Sequence, residues 1–180
     1  MDKDEMKEPA NAEELRALHD ILRVDPRRYL RIVNGWIEQN PHNSHAYFSR
    51  HSGWMSIGEP QRALADLNKA IELRQQPGAM SFMARGEVYR HLGHHQEALE
   101  DFDRAETIDP ADWRHGIVFG LLYQADSHAR LGNEAAALNC CARLPDDFWT
   151  PGINGAPSGN KAEVAEKLRS VAAAAQSRPE

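Results

Sequence analysis

The chain has 180 residues, enough for one domain with a sizeable core, and its 41% hydrophobic and 27% charged content is ordinary for a globular protein. A net charge of −6 argues against a nucleic-acid partner, which calls for a basic stripe; the nearest approach is Arg23, Arg27, Arg28 and Arg31, interrupted by Asp25. No apolar run nears the roughly 20 residues that span a bilayer, so no membrane partner is expected.

Residues 1–9 are acidic and lack an apolar centre, so they read as a disordered lead-in and not as a signal peptide. A helix is predicted over 12–24, with Leu15, Leu18, Ile21 and Leu22 on one face. Val24–Pro26 makes the turn, and a second helix follows with Tyr29, Leu30, Val33 and Trp36 at helical spacing, closed by Asn40–Asn43.

From residue 44 onward the sequence repeats itself. Gly58, Gly93 and Gly132 align, the first interval being 35 residues and the second 39. Ala63, Ala98 and Ala137 align with them, each followed by a leucine, as do Leu67, Phe102 and Cys141, and Ala70, Ala105 and Leu144. The aromatic side gives Trp54, Tyr89 and His128. Within one unit Phe82, Gly86 and Tyr89 follow i, i+4, i+7, and so do Ala98, Phe102 and Ala105. Each unit is therefore a helix, a tight glycine turn and a second helix. Small Gly86, Ala98 and Ala105 let the two backbones approach, bulky Tyr89 and Phe102 fill the space beside them, and Pro110 ends the second helix.

This pattern resembles the tetratricopeptide repeat, a helix–turn–helix unit of about 34 residues. The likeness rests on Gly86, Tyr89, Gly93, Ala98, Phe102, Ala105 and Pro110 in residues 79–112. Residues 44–78 share it but carry His51 where the family prefers a small residue, and residues 118–145 share it through Gly132, Ala137 and Leu138. A degenerate unit covers 10–43. The resemblance implies an all-α fold, a right-handed superhelical solenoid of helix–turn–helix repeats over 10–145.

Beyond it, residues 146–159 form a loop whose prolines and glycines exclude a regular helix. Residues 160–175 read as a capping helix, with Asn160 and Glu163 spaced as a capping box and Val164, Leu168 and Val171 as its apolar stripe. Residues 176–180 read as a frayed tail. In the loop, Phe148 and Trp149 are expected to pin it to the solenoid by burial.

Chemistry-bearing residues are few. His91, His94 and His95 sit about a turn and lack converging ligands, so no metal is assigned. Cys141 occupies a packing position and reads as a small buried hydrophobe. Two cysteines adjacent in sequence suggest no disulfide framework, hence a reducing compartment, the cytoplasm. No phosphate loop and no defensible nucleophile–base pair is present, so no enzyme activity and no cofactor are expected.

In the resembled family the first helix of each unit lines a concave groove. One step of about 100° from the packing stripe selects the side chains it would present. They are His45, Phe48, Ser49 and Ser52; Met80, Met83, Glu87 and Arg90; and Phe119, Leu122, Tyr123, Asp126 and Arg130. Chaperone co-factors of the family use lysines and asparagines there to clamp a carboxylate, whereas this chain has Phe48, Ser52, Met83 and Ala84. The expected function is a non-catalytic adaptor that binds an apolar or amphipathic segment of another protein. The alternative is a self-assembling scaffold such as a homodimer, and behind it a metal- or thiol-dependent activity.

Overall fold

The computed structural model describes residues 6–108, 113–152 and 155–177, the side chains of 113–118 excepted. The described residues are almost wholly helical, and the chain divides into two compact units between Pro77 and Gly78. Pro110 lies outside the described residues. No described helix is long and apolar enough to cross a membrane.

The first unit holds α1 (Ala12–Val24), α2 (Pro26–Gln39), α3 (Ser44–Ser56) and α4 (Pro60–Glu72). Asn11 caps α1 by accepting from the backbone N–H of Glu13 and Glu14 at 3.0 and 2.9 Å. Asp25 alone makes the α1–α2 turn. Its backbone N–H bonds back to Ile21, its carboxylate accepts from the Arg28 N–H at 2.9 Å, and Pro26 supplies the preset first helical residue. Leu18, Tyr29, Ile32, Val33, Trp36 and Ala46 form this unit's core. Leu15, predicted on the buried face of α1, is 42% exposed.

Residues 6–9 depart from the expected disordered lead-in. Trp36 donates its indole N–H to the Met6 carbonyl, and Glu8 accepts from Asn43 Nδ2 at 2.9 Å and meets His45 Nδ1 at 3.1 Å. Burying the Trp36 ring leaves its N–H in need of an acceptor, and this segment provides one.

The second unit holds α5 (Ala79–His91), α6 (His95–Ile108), α7 (Trp113–Arg130), α8 (Glu134–Ala142) and α9 (Lys161–Gln176), with two short strands, β1 (Trp149–Thr150) and β2 (Gly159–Asn160). The three turns α3–α4, α5–α6 and α7–α8 share one geometry. Gly58, Gly93 and Gly132 have φ of +75°, +81° and +78°, a left-handed conformation that favours glycine. In each, the residue after the glycine donates its N–H to the aligned Trp54, Tyr89 or His128 carbonyl at 2.9 Å, and the glycine N–H bonds to the next carbonyl at 2.9–3.1 Å. This double bond to the helix end explains why those glycines align and why each hairpin closes so sharply.

Across the turns the aligned alanines meet the facing helix. Ala63, Ala98, Ala137, Ala70 and Ala105 are wholly buried, as are Leu67 and Phe102, with Cys141 and Leu144 at 2%. Gly86 is the tightest contact of its hairpin: a Cβ there would lie 2.6 Å from Phe102 Cε1 and 3.1 Å from the Ala98 carbonyl oxygen. Trp54 and Tyr89, expected to be packed, are half-buried. Trp54 donates to Asp66 Oδ2 at 2.8 Å, and Tyr89 stacks on His94 with centroids 6.2 Å apart.

After α8 the chain does more than loop. β1 and β2 pair antiparallel, Trp149 opposite Asn160 and Thr150 opposite Gly159. Asn160 and Glu163 complete the capping box of α9, which packs on α7 and α8 through Val164, Leu168 and Ala172, all wholly buried. Val171, predicted in that stripe, is only half-buried, because the buried line runs on to Ala172 at the next i+4 step. Gln176 is not frayed: its Nε2 donates to the Gly132 carbonyl at 2.7 Å. Phe148 is 6% exposed and pins the segment, whereas Trp149, expected to share that role, is 66% exposed.

Candidate interaction surface

The stripe predicted to line a groove divides sharply by burial. In the first unit, His45 is exposed beside Glu8, and Phe48, Ser49 and Ser52 are half-buried along α3. Phe48 tilts against His51 at 5.0 Å, and the Ser49 carbonyl accepts the Tyr29 hydroxyl at 2.9 Å. In the second unit Met80 is 60% exposed, Phe119 is 42% exposed, Met83 and Glu87 are half-buried, and Arg130 reaches the surface.

Four predicted groove residues are corrected by the structure. Arg90, Leu122, Tyr123 and Asp126 are 4%, 0%, 4% and 0% exposed and offer no partner surface. Arg90 Nη1 donates to Asp126 Oδ2 at 2.8 Å, Arg130 Nε reaches both Asp126 oxygens at 3.0 Å, and the Arg90 guanidinium lies 4.5 Å from the Tyr123 ring centroid. The Tyr123 ring in turn sits 6.2 Å from Phe102 and 6.5 Å from Phe119. A buried charge survives only with a partner, and here one carboxylate serves two guanidiniums in the interior of the unit.

Sequence reasoning missed a second set of ion pairs. Arg50 bonds Asp66 through two nitrogens, and Arg85 bonds Asp101 likewise, both aspartates buried. The hydrogen bond to the aspartate is the main cause that raises each guanidinium above its usual range. The recurring 16-residue separation was the signal available.

The thiols are built for packing. Cys140 and Cys141 are free and buried, and burial pushes both thiols up, which keeps them protonated and poorly nucleophilic. His91 and His94 are exposed, and His95 is half-buried with its imidazole pushed down first by burial and then by Arg130. Among the described residues, no group of three histidines, cysteines or carboxylates is placed to hold a metal ion.

Comparison with known proteins accords with this geometry. Residues 79–112 match the tetratricopeptide repeat family model. DnaJ homolog subfamily C member 3 of Bos taurus is 28% identical over 99 residues, 55% of this chain and 19% of that one, and its Mus musculus counterpart gives the same figures. The chain thus spans about a fifth of the length of the curated relatives it matches. Among solved structures, MamA superposes with a TM-score of 0.64 at 15% identity, over 94% of this chain and 96% of that one. TTC0263, a thermophilic TPR protein of Thermus thermophilus, gives 0.60 at 17%, over 93% and 82%. Residues 79–112 thus match a tetratricopeptide repeat, and the described residues share the all-α repeat fold of these solved structures. The α5–α6 hairpin is the unit that the family model matches, and repeats of this class generally serve as non-catalytic interaction modules.

Proposed function

We propose that the protein is a non-catalytic adaptor whose second unit receives an apolar or amphipathic segment of another protein along its first helices, at Met80, Met83 and Phe119. One observation carries this reading. α5 and α7 pack against each other, and each leaves a large apolar side chain in water, Met80 and Phe119. Flexible methionine suits a surface that repacks around different segments. Glu87 on α5 and the partly exposed Arg130 on α7 place polar groups on the same two helices, as the edge of an amphipathic partner requires. In the first unit, His45, Phe48, Ser49 and Ser52 of α3 are proposed to form a contact surface of their own. The free, protonated thiols fit a reducing compartment, which we take to be the cytoplasm.

Affinity capture tests the reading, with the wild type beside Met80→Glu/Phe119→Glu. Both side chains are exposed, so the variant is expected to keep its helicity and lose its partners. An unchanged partner set on a folded variant overturns the proposal. If sedimentation instead shows that the wild type associates with itself and the variant does not, the self-assembling scaffold takes its place.

A further inference from the structure

Phe148, Trp149 and Thr150 alternate buried, exposed, buried, as successive side chains of an extended strand do. That alternation leaves an indole 66% exposed on an element that is held firmly. Trp149 pairs with Asn160, which in turn caps α9. Its ring forms one wall of a concavity of about 1020 Å³ within the second unit, between β1, the Gly155–Gly159 stretch and α9, and Pro151, Pro157 and Val171 continue the apolar wall.

The charges lining this concavity are unevenly committed. Arg130 is bound to Asp126 at 3.0 Å and to the Gly155 carbonyl at 3.3 Å. Lys167 donates to the Ser158 carbonyl at 2.7 Å and to its hydroxyl at 3.0 Å. Glu163 is used in the capping box. Glu166 lines the same wall, is exposed, and its carboxylate makes no hydrogen bond or ion pair with the described residues. The cations are thus engaged internally while a carboxylate and an aromatic face are left over, on a chain of net charge −6.

From this we infer that the concavity is a second interaction site, distinct from the Met80–Phe119 surface, and that it receives an arginine side chain from a segment of another protein. The guanidinium stacks on the Trp149 face, its methylene stem lies along Pro151, Pro157 and Val171, and its charge meets Glu166. Arginine suits the site better than lysine because its planar, weakly hydrated head both stacks and forms two parallel bonds to a carboxylate. Anionic partners, phosphates included, are disfavoured by the Glu166 carboxylate.

The test is a titration of the ¹⁵N-labelled full chain with acetyl-Ala-Arg-Ala-Arg-Ala-amide, beside peptides carrying citrulline or glutamate in place of arginine. The arginine peptide is expected to shift the Trp149 indole N–H and the Ser170 and Val171 amides. Trp149→Ala and Glu166→Gln should each weaken it by at least about threefold, a cation–π or exposed ion-pair increment, and the other two peptides should not bind. An equal response to citrulline, shifts confined to other acidic surfaces, or unaffected variants would overturn the assignment. So would concentration-dependent self-association lost in Trp149→Ala without any peptide response, which would give the concavity to a second copy of the chain.

Discussion

Arg85 and Asp101 face each other across the α5–α6 hairpin, Nε to Oδ2 at 2.7 Å and Nη2 to Oδ1 at 2.8 Å, and Arg50 and Asp66 repeat the arrangement 35 residues earlier at 2.7 and 2.6 Å. The same register in the α7–α8 hairpin holds Gln124 and Cys140, and Gln124 turns instead to Asp103 of α6 at 3.0 Å. The fork-to-carboxylate pair is therefore a device of two hairpins, lost in the third. Asp101→Asn is expected to destabilise the protein by about 3–5 kcal/mol, because it strips the largely buried Arg85 guanidinium of the Asp101 charge. Arg85→Met with Asp101→Leu should recover most of that loss, since neither charge then needs desolvating. Urea midpoints of the three proteins decide the matter: a double variant no better than Asp101→Asn would mean that the pair adds specific stability beyond mutual compensation.

Glycine to alanine should have opposite signs at two places. At Gly86 the added methyl would meet Phe102 Cε1 at 2.6 Å and Cδ1 at 2.8 Å, with the Ala98 carbonyl oxygen at 3.1 Å behind it. The aromatic ring is itself wholly buried, so it has nowhere to swing. A loss of about 1–3 kcal/mol is expected. At Gly35, inside α2, nothing lies within 4 Å of the added carbon. There alanine should stabilise by roughly 0.5–1 kcal/mol through helix propensity and a less flexible unfolded chain. Thermal unfolding of the two variants checks both signs, and two losses would show that α2 is more tightly packed than its open glycine indicates.

These contacts show which parts of the structure were readable in advance. The turn glycines and the seam alanines were legible because a stacked hairpin needs a left-handed residue at its turn and a small one at its closest approach, and both needs recur at the repeat interval. Arg90 and Asp126 were not. Each lies one step of about 100° off the packing stripe of its own helix, and single-helix periodicity carries no information about a partner 36 residues away that buries both. The β1–β2 pair escaped because two residues per strand are too few to show an alternation. Trp149 was misread for a related reason: aromaticity predicts burial, but the alternation of an extended segment decides which of Phe148 and Trp149 turns inward.

His51 gives the first unit a defined pH response. It stands where the α5–α6 hairpin has Gly86, and burial is the main influence on its imidazole, pushing it below the usual range against the opposing Phe48 carbonyl and Asp66. Nδ1 faces the Phe48 carbonyl oxygen, which only accepts, so Nδ1 carries the hydrogen and Nε2 is the site of further protonation. The unfolded imidazole takes up its proton near pH 6.5, roughly the model-peptide value, and the folded one only below it. Between those two points the unfolded chain binds more protons, so stability should fall as pH falls from about 6.5 and level off below the folded value. Above about pH 7 this residue should contribute no slope. His51→Ala should remove its share of the acid-side loss, while His95 and His128, pushed down in the same way, retain theirs. An identical acid-side slope in the variant would assign the response to the second unit.

Asp126 and Arg130 belong to one charge cluster but should respond very differently to removal. Asp126 is wholly buried and serves two guanidiniums, of which Arg90 has a side chain only 2% exposed. Asp126→Ala strips that interior cation of this carboxylate, and a loss of about 3–5 kcal/mol is expected. Arg130 is 41% exposed along its side chain, and its removal leaves Asp126 still bonded to Arg90. Arg130→Ala should therefore cost no more than about 1 kcal/mol, the range of exposed pairs, and the cost should shrink in high salt. The contrast separates two roles for the cluster. If it holds α5 to α7, the Asp126 variant alone should lose the cooperative unfolding transition of the second unit. Equal losses in the two variants would mean that Arg130, through the Gly155 carbonyl, anchors the C-terminal segment as firmly as Arg90 anchors α7.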